Sequence, residues 1–282
     1  MSESAFTIYA PIALMLVLGL PHGALDAHIL NSAARRKRQK LILLLAYIAL
    51  ALATIVFWRT LPTIAIAMFL GLSTVHFGRS DLYSPQTINA STATVAKATT
   101  NKTVHNFVMA VTHGGIWTVL LPLVQWDRVE PIFSTLESQT LTLKYLLQGS
   151  ALAWGACSIV TIFSYIQTRE IGRLTLLFTG ISVAIFTPPL WALCLYFCLW
   201  HARRHTSWVL ANFPPKSAAL KFMFIFSAIP LAAMLYFALF IPHKLSFDEF
   251  ALQLFFVGIF ALTVPHMVLI DYYLGSKPTV DR

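Results

Sequence analysis

Charged residues are scarce in this chain: Asp, Glu, Lys and Arg make up 11% of the 282 residues, whereas hydrophobic residues make up 57%. Soluble domains carry about 25% charged residues. A chain this apolar could not cover a surface that faces water, so lipid is its expected solvent. No hydrophilic stretch is long enough for a second domain. The sequence therefore predicts a single integral-membrane helical domain over residues 1–282.

Cysteine is also rare, and Cys157, Cys194 and Cys198 all lie in apolar segments. A disulfide framework is therefore not expected. Residues 5–20 are apolar but have no basic region before them and no small-residue cleavage site after them. We expect them to form a first membrane helix rather than a signal peptide. The net charge of +9 comes from basic residues in short loops, which indicates membrane orientation and not nucleic-acid binding.

The apolar runs predict an all-α fold, a polytopic transmembrane helical bundle in the cell inner membrane. A helix needs about 20 apolar residues to cross the hydrocarbon core. The sequence offers nine candidate spans, of which the sixth is short, or eight if 172–208 is one broken element. The nine are residues 5–25, 41–58, 61–78, 104–124, 145–166, 172–187, 189–208, 219–241 and 249–273.

The distribution of basic residues favours nine spans, with the N-terminus outside and the C-terminus in the cytoplasm. This arrangement places all but four of the 20 lysines and arginines on the cytoplasmic side, as the positive-inside rule requires. The four exceptions are Arg59, Arg128, Lys144 and Lys244. Joining the sixth and seventh spans would reverse every later loop and remove this bias.

Histidines cluster at one membrane depth in this topology. His22, His76, His201 and His266 lie near the inner ends of spans one, three, seven and nine, and His205 lies one turn beyond His201. Ionisable groups inside spans are costly and usually face a cavity or the bundle interior. The convergence predicts a metal site. The alternative is a set of titrating or hydrogen-bonded histidines that bridge helices.

The spacing of individual residues supports a metal site. His201 and His205 are four residues apart, so they share one helical face. Several imidazoles with few carboxylates suit iron, copper or zinc better than magnesium or calcium. Asp26 follows His22 by four residues. It is expected to orient that imidazole, because metal-bound histidines commonly donate their second N–H to a carboxylate. His266 is expected to be a fifth ligand or a wall residue.

The remaining histidines lie elsewhere in the predicted topology. His113 falls about half-way through span four, before two glycines. It is expected either to line a substrate channel or to hydrogen-bond to a neighbouring helix. His28, His105 and His243 lie near the membrane interfaces, where we expect them to be solvated.

Four sequence motifs resemble those of one enzyme family. The segment Gly19-Leu20-Pro21-His22-Gly23-Ala24-Leu25-Asp26 resembles the signature of the Brp/Blh-type β-carotene 15,15′-dioxygenases of rhodopsin-bearing bacteria and archaea. The family's other histidine motifs are similar, in the same order, to three later segments. These are Val75-His76-Phe77-Gly78, the pair that begins at Trp200-His201, and Pro265-His266. The similarity extends over the whole chain.

The resemblance implies a membrane enzyme that cleaves β-carotene with O₂ at its central 15,15′ double bond, giving two molecules of all-trans-retinal. It implies non-haem Fe²⁺, with His22, His76, His201 and His205 as the ligands. The implied partners are β-carotene, O₂ and membrane lipid, with a functional link to a rhodopsin apoprotein that takes up the retinal. Nucleic acid is not among them.

Three other functions would also account for histidines inside membrane spans. A membrane haem protein uses axial histidines on opposing helices, whereas His201 and His205 share one face. A di-iron desaturase needs several histidine boxes, and this chain has one. A proton-coupled transporter would use the histidines as a proton relay. Metal analysis of the purified protein separates the transporter from the metalloenzymes.

Overall fold

The structure, a computed structural model, describes residues 3–33, 36–82, 100–136, 139–240 and 246–275. Every regular element within these ranges is helical, so the predicted all-α class is confirmed for the described part of the chain. The α-helices are α1 (Glu3–Leu14), α2 (Leu20–Ala24), α3 (Asp26–Ala33), α4 (Lys37–Thr60), α5 (Pro62–Leu82), α6 (Thr100–Gly115), α7 (Leu121–Val124), α8 (Trp126–Thr135), α9 (Thr140–Gln167), α10 (Ile171–Phe186), α11 (Pro189–Leu195), α12 (Arg203–Asn212), α13 (Lys216–Phe240) and α14 (Phe247–Gly275). Three wider π-helical turns join some of them: π1 (Met15–Gly19), π2 (Ile116–Leu120) and π3 (Tyr196–Ala202).

Six helical stretches of the described residues are long and apolar enough to cross a membrane. They are Phe6–Ser32, Lys37–Thr60, Val104–Val124, Thr140–Gln167, Lys216–Phe237 and Phe247–Ile270. Of the other predicted spans, 172–187 forms the shorter apolar helix α10, 61–78 forms α5, and 189–208 forms α11, π3 and part of α12. The described part of the chain is thus helical, with six candidate membrane-spanning segments. The total of eight or nine spans and the orientation of the termini stay predictions.

Two of the π-helical turns have a visible cause in the sequence. In π1 the Leu20 N–H donates to the carbonyl of Met15, five residues earlier. Pro21 lies two residues after the end of this turn, and Pro122 stands in the same position after π2. Proline lacks an N–H, and its ring presses on the carbonyl four residues earlier. A wider turn at this point relieves the crowding and bends the helix.

The chain divides into two compact units, Met1–Pro62 with Phe197–Arg282, and Thr63–Tyr196. In the first unit α14 packs along α4, and α13 packs against α2 and α3. A buried apolar cluster links α3, α12, α13 and α14 through Leu25, Ile29, Leu30, Val209, Phe213, Ala219, Leu269 and Ile270. These elements are the ones that carry or adjoin His22, His205 and His266. Their mutual packing therefore determines where those side chains lie.

The second unit is built on close contacts between helices. A Cβ atom on Gly78 would lie 1.8 Å from the carbonyl oxygen of Ala110, and one on Gly114 would lie 1.8 Å from that of Thr74. The backbones of α5 and α6 therefore touch, as small residues allow in membrane helices. Hydroxyl pairs add polar contacts here, such as Thr74 with Thr118 at 2.6 Å. The result is a tightly packed and internally hydrogen-bonded helix pair.

Candidate metal centre

Four buried histidines of the first unit lie side by side. The ring centroid of His22 is 5.3 Å from that of His201 and 5.5 Å from those of His205 and His266. The rings of His205 and His266 are 5.0 Å apart. At most 8% of the surface of any of the four is exposed. The structure thus brings together imidazoles from three distant parts of the sequence: α2, the adjoining elements π3 and α12, and α14.

Potential ligand atoms in this group approach one another closely enough to hold one ion. Those of His22, His201 and His266 all lie within 4.8 Å of one another, and so do those of Asp26, His205 and His266. His266 belongs to both sets. Neutral imidazoles with a single carboxylate fit iron, copper or zinc, and they fit magnesium or calcium poorly. The donor set is therefore suited to a transition metal.

Hydrogen bonds hold two of these rings by their Nδ1 atoms. The Nδ1–H of His22 donates to the carbonyl of Gly19, at the end of π1. The Nδ1 of His266 lies 2.9 Å from both carboxylate oxygens of Asp26. A donor bond at Nδ1 makes Nε2 the nitrogen that can bind a metal, and it fixes the plane of the ring.

Asp26 contacts a different histidine from the one that sequence spacing predicts. The spacing of four residues between His22 and Asp26 places them on one face only if the helix is continuous. In the structure α2 ends at Ala24 and α3 begins at Asp26, with a turn at Leu25. The carboxylate of Asp26 is hydrogen-bonded to His266 of α14, and the Nδ1–H of His22 donates to the Gly19 carbonyl instead.

Sequence reasoning missed Tyr47, which completes this arrangement. Its hydroxyl donates to a carboxylate oxygen of Asp26 at 2.8 Å and lies 3.4 Å from the carbonyl of Leu262. The only signal in the sequence is a tyrosine in the middle of the very apolar helix α4. A hydroxyl in that setting needs a polar partner. Tyr47, Asp26 and His266 thus form a hydrogen-bonded row across three helices.

The other predicted site residues are placed as follows. His76 is buried on α5 in the second unit, with the ring of Phe77 5.9 Å away, and its role as a ligand stays a prediction. His113 is buried in the same unit, where Nε2 and the Tyr165 hydroxyl are hydrogen-bonded at 2.9 Å. The expected bond to a neighbouring helix is therefore present. The alternative role of His113, in a substrate channel, stays a prediction.

The expectation that His28 is solvated was wrong. Only 1% of its surface is exposed, and its Nε2–H donates to the carbonyl of Phe213 at 2.9 Å. The predicted membrane depth of His28 gave no indication that α3 packs against the residues between α12 and α13. His105 is half-buried, and His243 lies outside the described residues.

Comparison with known proteins gives one consistent result. A family model described as beta-carotene 15,15′-dioxygenase matches residues 13–273 of the chain. A curated beta-carotene 15,15′-dioxygenase of an uncultured marine bacterium, 66A03, is 35% identical over 275 residues, which is 94% of this chain and 93% of that protein. No solved structure matches the chain. The matched region includes all four clustered histidines.

Proposed function

Because the chain belongs to the β-carotene 15,15′-dioxygenase family of carotenoid-cleaving enzymes, we propose that it cleaves β-carotene at the 15,15′ double bond with Fe²⁺ and O₂. The products are two molecules of all-trans-retinal, which serve as chromophore for a microbial rhodopsin. The observation that carries the proposal is the buried cluster of His22, His201, His205 and His266 in the first unit.

The donor set supports iron as the cofactor. His22, His201 and His205 bind it through ring nitrogens, and His266 acts as a further ligand or as a wall of the site. His76 is retained as a ligand on the family resemblance alone. When bound, Fe²⁺ supplies the O₂ chemistry that the cleavage requires.

The protein groups around the cluster orient the ligands and exclude water. The Gly19 carbonyl holds the Nδ1–H of His22, and the Asp26 carboxylate holds that of His266. Both rings therefore offer Nε2 in a fixed direction. Since the four imidazoles are almost fully buried, bulk water does not reach them. The exclusion of water would prevent side reactions of the reactive species that form from O₂.

The surroundings suit an apolar substrate. The candidate spans expose many apolar side chains, such as Val17, Leu52 and Phe224, so lipid surrounds the helices. β-Carotene is dissolved in the same lipid and reaches the enzyme without entering water. We propose that residues 1–282 act as one multi-pass domain of the inner membrane.

Expression in a β-carotene-producing bacterium tests the proposed activity. We expect loss of β-carotene and the appearance of retinal on chromatography under air, and neither change without O₂. The control is a variant in which His201 and His205 are both alanine. Unchanged β-carotene, with abundant and iron-loaded protein in the membrane, would contradict the proposal.

The iron content of purified His76→Ala tests the ligand that rests on resemblance alone. We expect iron to be depleted while the protein still inserts into the membrane. Full iron content in this variant would remove His76 from the ligand set without affecting the four clustered histidines.

A further inference from the structure

We propose that Phe197 is a positioning residue: its ring, packed against Gly19, holds the imidazoles of His22 and His201 in the orientation that binds metal. This inference rests on the proposed metal site. It adds a residue that neither histidine spacing nor ligand chemistry indicates.

The ring of Phe197 contacts both imidazoles at once. It is stacked on His201, with centroids 5.7 Å apart and an angle of 15° between the planes. It meets His22 edge to face, with centroids 5.0 Å apart and an angle of 80°. The two imidazoles are themselves nearly perpendicular, at 86°. A single phenyl ring therefore fixes the angle between two proposed ligands, in arrangements that aromatic pairs favour.

Gly19 provides the space for that ring. A Cβ atom on Gly19 would lie 2.3 Å from Cε1 and 2.6 Å from Cδ1 of Phe197, so the ring occupies the place of a side chain at position 19. The backbone does not need glycine here, because φ of −85° and ψ of −52° are ordinary helical values for any residue. Glycine at this position is therefore explained by the ring and not by chain conformation.

The position of Gly19 links this contact to His22 a second time. Its carbonyl accepts the Nδ1–H of His22, and its Cα supports Phe197. Both features lie at the end of π1, whose wide turn precedes Pro21. Phe197 and His201 in turn both lie in π3. Two of the π-helical turns thus meet at the metal centre, and such turns are frequent at functional sites.

Gly23 offers a matched control within the same motif. It lies one helical turn after Gly19, and a Cβ atom there would meet nothing within 4 Å. Alanine at either position raises helix propensity by a similar amount. Only alanine at position 19 displaces the Phe197 ring.

The test is a double-mutant cycle read out as metal affinity. Purified full-length protein in detergent is titrated with Co²⁺, a spectroscopic probe for Fe²⁺ sites, in the wild type, Gly19→Ala, Phe197→Ala, the double variant and Gly23→Ala. We expect Gly19→Ala to lose about 10-fold or more in affinity, as for other groups that orient metal ligands. Phe197→Ala should lose affinity too, and Gly23→Ala should match the wild type.

The decisive result is the coupling between positions 19 and 197. In the Phe197→Ala background, Gly19→Ala should cost little further affinity, because the ring that it displaces is already gone. An effect on the helix alone would give the same loss in both backgrounds and would overturn the inference. Wild-type affinity in Gly19→Ala or in Phe197→Ala would overturn it as well. Absence of Co²⁺ binding by the wild type would instead contradict the metal site itself, and the inference with it.

Discussion

Replacing Asp26 by asparagine tests the hydrogen-bonded row of Tyr47, Asp26 and His266. Two donors point at the carboxylate, the Nδ1–H of His266 and the hydroxyl of Tyr47. An asparagine has one oxygen to accept from them and an NH₂ group that can only donate. In the variant an NH₂ group replaces one of the two oxygens, and it faces either the His266 ring or the Tyr47 hydroxyl. The Tyr47 hydroxyl can turn to accept a hydrogen bond from it, whereas the Nδ1–H of His266 cannot.

The consequence for His266 is a change of tautomer. If the asparagine NH₂ faces the ring, Nδ1 has to accept a hydrogen bond, and the proton moves to Nε2. A protonated Nε2 has no lone pair for a metal. We therefore expect Asp26→Asn to weaken metal binding by about 10–100-fold. Since each tenfold change corresponds to about 1.4 kcal/mol, the loss is roughly 1.4–2.8 kcal/mol in binding free energy.

The measurement is the affinity for Fe²⁺ or Co²⁺ of the purified variant, together with retinal formation in the β-carotene strain. Tyr47→Phe is the matched control, because it removes one hydroxyl and leaves the carboxylate on His266. Because His266 keeps its acceptor in this variant, its metal affinity should fall less than that of Asp26→Asn. Wild-type iron content and full activity in Asp26→Asn would refute the reasoning and leave Asp26 without a role at the metal centre.

Three further predictions concern the histidines and the topology. His201→Ala and His205→Ala should each deplete iron and abolish retinal formation while the protein still reaches the membrane; full iron and activity in both would exclude a site on that helix. His28→Ala should lower the free energy of unfolding by about 1–3 kcal/mol, because the buried carbonyl of Phe213 loses its donor. A thermal-unfolding midpoint equal to that of His105→Ala would contradict this. Reporter fusions after Arg38 and at the C-terminus should both report the cytoplasm, and a periplasmic signal at either would refute nine spans with an outside N-terminus.

The structure shows which kinds of sequence reasoning succeed in such a chain. Composition and apolar runs are sufficient to predict the helical class and the candidate membrane spans, because an apolar chain with few charges cannot cover a surface that faces water. Placing helix ends at a common depth led to a group of five histidines, His22, His76, His201, His205 and His266. The structure brings His22, His201, His205 and His266 together in the first unit, and the membership of His76 stays a prediction. Depth can be inferred in this way because a helix has a fixed rise per residue. A histidine's depth therefore follows from its position within the span.

Direction around the helix axis is harder to predict than depth, and the errors here have that origin. The face on which a side chain lies depends on every turn between it and its neighbour, so one break or wide turn changes the answer. The helix breaks at Leu25, and Asp26 is hydrogen-bonded to His266 and not to His22. Partners on other helices, such as Tyr47 for Asp26 or the Phe213 carbonyl for His28, depend on packing that no local spacing encodes.

The irregular turns connect these errors to the proposed chemistry. A regular helix repeats its side-chain directions every 3.6 residues, so it offers few choices for aiming a ligand. The wide turn π1 ends at Gly19 and is followed by Pro21 and His22, while π3 contains both Phe197 and His201. Each wide turn rotates the residues that follow it relative to a regular helix. The wide turns make side-chain directions hard to predict from a regular helical period. The same turns direct imidazoles from separate helices toward a common point. We therefore expect a change that restores a regular helix at π1, such as Pro21→Ala, to lower metal affinity even though no ligand is altered.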